Sequence, residues 1–117
     1  METVQVQNLT RGQKLAHKVR LCDGFWSRLA GLIGTSKLDD GEACWLKPCN
    51  SIHTFGMKFS IDAYFLDRNE QVVAVFKNLK PNRLTPVVFK ASSVLEFTSG
   101  NSRNCEVGDR LGVESLS

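Results

Sequence analysis

The chain has 117 residues, of which 42% are hydrophobic and 23% charged, and it carries a net charge of +3. That length supports one buried core and leaves too little for two, so a single domain over residues 1–117 is expected and a wholly disordered chain is excluded. No apolar run is long enough to span a bilayer, and the start, Met1-Glu-Thr-Val-Gln-Val6, lacks the basic and apolar regions of an export signal, which points to a soluble cytoplasmic protein without membrane insertion.

Taken in order, the elements are mostly short segments with period-two alternation. Strands are expected at 3–8 and 15–21. One helix follows near residues 24–34, with Asp23 at its start, Phe25, Leu29, Leu32 and Ile33 at helical spacing, and Gly34 as the stop. Asp39-Asp40-Gly41 makes a turn into a strand at 42–46, and another strand is expected at 51–55. The clearest strand is 58–66, where Phe59, Ile61, Ala63 and Phe65 alternate with Ser60, Asp62, Tyr64 and Leu66. Asp67-Arg68-Asn69-Glu70 then closes a hairpin onto 72–76. An irregular connection at 80–86, marked by Pro81 and Pro86, leads to strands at 87–91 and 94–98. A polar segment at 99–104, read as a single helical turn or a loop, and the turn Val107-Gly108-Asp109-Arg110 precede a last strand at 110–114. The chain is therefore mainly β, a compact β-sandwich or partly open barrel with one short helix.

Four cysteines, Cys22, Cys44, Cys49 and Cys105, are expected as reduced thiols that pack like small hydrophobes. Acids are absent between Glu2 and Asp23 and again between Glu70 and Glu96, leaving Arg11, Lys14, Lys18 and Arg20 in one block and Lys77, Lys80, Arg83 and Lys90 in the other. The two blocks meeting on one face would present a modest positive field.

The segments Arg28-Leu-Ala-Gly31-Leu32-Ile33, His53-Thr-Phe-Gly-Met57-Lys-Phe-Ser-Ile-Asp62, Phe65-Leu-Asp67, Val94-Leu-Glu96 and Val107-Gly-Asp109 occur together and in this order. In that order the chain resembles the domain of unknown function 192 family, an uncharacterised prokaryotic group, and a bacterial source is expected. Ser60 stands where the family often has proline, and Ile33 where it has methionine; both keep the alternation. The resemblance implies a compact β-sandwich with one short helix. It implies no reaction and supplies no catalytic residues.

The residues that bear chemistry concentrate in 49–67. His53 suits metal ligation or general-base work, and Cys44, Cys49 and His53 give a C-x4-C-x3-H spacing compatible with zinc, though without the tight knuckles of structural zinc sites. Asp62 lies opposite Phe59, Ile61 and Phe65; if that face is covered it requires a cationic partner, with Arg28 and Arg83 the first candidates. Trp45, Phe55, Met57 and Phe59 are candidate linings of an apolar pocket, and Gly56 marks a bulge or a close backbone approach. Phosphate-loop, dinucleotide, zinc-protease and hydrolase signatures are absent, and His17 and His53 are the only histidines. The leading expectation is a non-enzymatic module that binds a small molecule or a protein through His53, Phe55, Met57, Asp62, Arg28 and Arg83, with no cofactor and as a monomer. A zinc-binding protein or metal-dependent enzyme built on Cys44, Cys49 and His53 is the alternative, and weak nucleic-acid or anion binding the third reading.

Overall fold

The computed structural model describes residues 3–22, 38–100 and 103–115. Seven strands run through them: β1 (Thr3–Asn8), β2 (Gln13–Cys22), β3 (Glu42–Leu46), β4 (Ile61–Leu66), β5 (Val72–Leu79), β6 (Ser93–Thr98) and β7 (Leu111–Ser115). They form one sheet in the order β5-β4-β6-β3-β2-β1-β7. Neighbours are antiparallel except β2 and β3, which are parallel and are joined by residues 23–41. The helix expected near residues 24–34 lies outside the described residues.

The sheet curls until its two edges touch. Gln71 and Arg110 form a bridge, Val72 N–H donates to Asp109 O at 2.8 Å, and Leu111 N–H donates to Glu70 O at 2.9 Å. The consequence for packing is that one apolar cluster draws on every strand: Val6, Val19, Trp45, Tyr64, Val72, Phe97 and Leu111 belong to it, one from each. This is the inside of a half-barrel, and alternation along the strands sends these residues to one face. Tyr64 and Phe97 meet edge to face at 5.7 Å. Burial pushes the Tyr64 phenol and the Cys105 thiol up to about 12 each, which favours their neutral forms, and Cys105 packs in the inner cluster.

A second core lies on the other face. β4 and β6 are buried at all six positions, and Cys44, Leu46, Ile61, Ala63, Phe65 and Val94 pack there against Ile52 and Met57. The cover comes from two irregular segments, 49–60 and 80–91. Strands expected at 51–55 and 87–91 are not regular strands: one isolated bridge, His53 to Leu84, is all that the first contributes, and Val88–Ala91 is a hydrogen-bonded turn. Likewise β4 begins at Ile61, later than the alternation from Lys58 suggests.

The hairpin at 67–71 forms as expected. Asp67 Oδ1 accepts from Asn69 N at 2.8 Å and Gln71 N at 3.0 Å, an Asx-type turn. Farther along, β5 carries a bulge opposite Asp62, with Asn78 at φ 55° and the register shifting between Ile61 and Ala63.

Asp62 is buried inside this end of the barrel. Its Oδ1 accepts from the bulge amide Asn78 N at 2.8 Å, and its Oδ2 accepts from Arg103 Nη1 at 2.9 Å. Both charged side chains are about 5% exposed or less, at 5% for Arg103 and 4% for Asp62. Arg103 also donates to Thr98 O at 3.1 Å and lies 4.0 Å from the centre of the Phe97 ring. The partner is therefore Arg103, not Arg83, whose guanidinium donates to its neighbour Asn82 O at 3.4 Å; Arg28 lies outside the described residues.

A second polar knot ties β1 to the turn before β7. Asn8 donates to Asp109 Oδ2 at 2.9 Å and Arg11 Nε donates to the same oxygen at 2.6 Å. The Arg11 hydrogen bond holds the Asp109 carboxyl below the usual carboxylate range, against the opposing effect of burial.

Two outcomes follow from these knots. Asp62→Asn keeps the acceptor for Asn78 but leaves Arg103 buried and unpaired, which costs about 3–5 kcal/mol in denaturant unfolding. The Asp62→Asn/Arg103→Met double variant recovers most of that loss; strictly additive losses refute the coupling. Asp109, with a folded pKa below its unfolded value near 3.9, contributes stability that is complete above about pH 5 and is lost as pH falls through the folded value. The stability gap between wild type and Asp109→Asn therefore closes on acidification, and a gap constant with pH contradicts the assignment.

Candidate functional site

The two irregular segments that cover the outer core form a lobe, and threonines lock it. Thr54 N–H donates to Arg83 O at 2.9 Å, Thr54 Oγ1 accepts from Arg83 N at 2.8 Å and donates to Lys80 O at 2.6 Å. Thr85 repeats the pattern one step away: its N–H donates to Ile52 O and its Oγ1 accepts from Ile52 N, both at 3.0 Å. Backbone groups that no strand ladder satisfies are thereby paired. Thr54 and Thr85 were not singled out in the sequence, where a threonine in a loop carries no distinctive signal.

The lobe has a buried underside and an exposed top. Ile52 and Met57 face the outer core, with Met57 8% exposed. On the other side, Phe55 is 50%, Leu84 69%, Val87 48% and Phe89 91% exposed. His53 lies between the two sides. Its ring stacks on Phe55 at 5.5 Å and 24°, its backbone is bridged to Leu84, and its Nδ1 is buried with no hydrogen-bond partner among the described residues. Gly56, at φ +83°, closes the Thr54–Met57 turn, as Met57 N–H donates to Thr54 O at 3.2 Å.

Of the six expected ligand-binding residues, the structure gathers three: His53, Phe55 and Arg83 share the lobe surface. Met57 lies beneath them, and Asp62 is spent on Arg103 and the β5 bulge at the barrel end. Trp45 faces the inner core, where Lys47 Nζ approaches its ring at 3.7 Å.

Cys44 and Cys105 are buried, and Cys49 is half-buried. Cys49 Sγ donates to Ser51 O at 3.1 Å, and Cys44 Sγ lies 3.7 Å from Arg20 Nη2. Among the described residues no group of three or more His, Cys, Asp or Glu is placed to hold a metal ion. Cys44, Cys49 and His53 therefore make no assembled donor set.

The acid-free block 71–95 contributes one side of the lobe. Residues 83–88 pair with 50–54. A separate polar cleft of about 410 Å³, lined by Asn8, Lys14, His17, Asp40, Arg103 and Asn104, opens beside β2. It carries both signs of charge, and Arg103 within it is already engaged by Asp62.

The domain of unknown function 192 model, described as Uncharacterized ACR, matches residues 6–113. A UPF0127 protein from Thermococcus sibiricus is 31% identical over 114 residues, covering 92% of this chain and 73% of its own length. Another UPF0127 protein, from Pyrococcus furiosus, is 31% identical over 111 residues, covering 89% of this chain and 93% of its own length. Both are archaeal, which departs from the bacterial source expected from the sequence. Two solved structures share the fold. A protein of unknown function from Novosphingobium aromaticivorans superposes with a TM-score of 0.75 at 17% identity, covering 94% of this chain and 83% of that one. A Sinorhizobium meliloti protein proposed to be a transcription regulator gives 0.81 at 16% identity, covering 96% and 92%. Identities this low speak for the fold alone. The family model, by contrast, reaches into all seven strands, and the chain belongs to the domain of unknown function 192 family.

Proposed function

We propose that the protein is a non-enzymatic binding module of the cytoplasm whose contact surface is the top of the lobe at 50–57 and 82–89. One observation carries this reading: Phe55, Leu84, Val87 and Phe89 are all exposed on a lobe whose underside already satisfies the core. Isolated exposed apolar residues are ordinary, but four on two short paired segments form a patch of the kind that marks interaction sites. His53, stacked against Phe55, and Arg83 supply polar groups at its edge.

The other readings have less behind them. No assembled donor set supports the metal alternative, and the likeness to a proposed transcription regulator is a likeness of fold.

A photo-crosslinking residue placed at position 55 or 89 tests the module reading whatever the partner's chemistry. In cells it is expected to yield defined adducts, while the same residue at Glu114, on the far edge strand β7, yields none; equal labelling from both places overturns the reading. Zinc content after metal-replete purification is expected below about 0.1 equivalents, and a stoichiometric value restores the metal alternative.

A further inference from the structure

Resting on the lobe as the contact surface, we infer that its partner is an anionic lipid surface, on which the lobe docks at headgroup level without spanning it. Two features that the core does not require occur there together: aromatic turn tips and basic side chains that form no ion pair among the described residues.

Each Phe stands at the tip of its own turn. Phe55 precedes Gly56 in the Thr54–Met57 turn, and Phe89 and Lys90 are the central residues of the turn closed by Ala91 N–H donating to Val88 O at 2.9 Å. Phe89, at 91% exposure, touches almost nothing of its own chain. Side chains that protrude in this way do not line a pocket for a small ligand; they suit a soft acceptor into which a ring can sink to the boundary between headgroups and acyl chains.

The two segments that build the lobe carry charge of one sign along the chain. Residues 43–61 and 71–95 contain no Asp or Glu, and pairing of 50–54 with 83–88 merges these two stretches into one lobe. Lys58, Lys80, Arg83 and Lys90 are exposed, and none of them forms an ion pair among the described residues. Long basic side chains around an apolar tip can reach phosphate oxygens while the rings sit deeper.

Other occupants fit less well. A second copy would set like charges against each other across the same patch. Addition of a peptide strand to edge strand β5 is opposed by the bulge at Asn78, φ 55°, which bends that edge. An acidic protein matches the charge but offers no reason for protruding turn tips.

Co-sedimentation of the full chain with vesicles decides the matter. Binding to vesicles of equal parts phosphatidylglycerol and phosphatidylcholine is expected to exceed binding to phosphatidylcholine alone by at least roughly tenfold, and to fall as salt rises. The Phe55→Ser/Phe89→Ser and Lys80→Gln/Arg83→Gln/Lys90→Gln variants, altered only at exposed positions, are each expected to lose at least roughly tenfold in affinity with an unchanged thermal melt. Wild-type protein that ignores anionic vesicles, or variants that bind like wild type, overturn the inference. In that event, crosslinks from position 89 to an acidic protein retain the lobe as a binding surface and reject only the lipid; no specific crosslinks reject both.

Discussion

The constraint on which this structure depends is that β4 and β6 are buried on both faces. A sheet covers one face by curling, and here the curl brings residues from all seven strands into one inner cluster. The opposite face of the same two strands must then be covered by something outside the sheet, because leaving Ile61, Phe65 and Val94 in water forfeits about 1.5–3 kcal/mol for each such side chain. The irregular segments 49–60 and 80–91 meet that need. They lie across the sheet rather than in it, so their backbone groups must be satisfied by Thr54 and Thr85 instead of by a ladder.

Once the lobe exists, its geometry divides its side chains. A single layer of extended chain can turn only one side toward the core, and Ile52 and Met57 occupy that side. What it turns outward is not dictated by stability. Polar residues would serve equally well there, yet the chain places Phe55, Leu84, Val87 and Phe89 in water and carries on the same segments Lys58, Lys80, Arg83 and Lys90, none of them ion-paired among the described residues. That surplus is the basis of the functional reading.

The barrel end is governed by a different requirement. Asp62 belongs to the inner face by alternation, and a carboxylate there is tolerated only because Arg103 and the Asn78 amide meet it. Asp62 thus serves to fasten Arg103 and the β5 bulge to β4. Asp109 plays the same part at β1, with Asn8 and Arg11 around it.

Much of the fold was legible along the chain because alternation and turn chemistry are local. The mainly β class, the hairpin through Asp67, the strands near 3–8, 42–46 and 94–98, and the turn at Val107–Arg110 all follow from neighbouring residues. Segments 51–55 and 87–91 show the limit: their composition suits strands, and only the packed molecule decides that they cross the outer face instead. The ion pair of Asp62 was equally out of reach, since Arg103 is 41 positions away and any of several arginines satisfies the charge. What the sequence by itself determined was the period of each segment and hence which side chains share a face. Which face lies inside, which cation answers Asp62, and which apolar residues are left over at the surface are decided by long-range closure of the sheet, because burial is a property of the whole fold and not of the pattern.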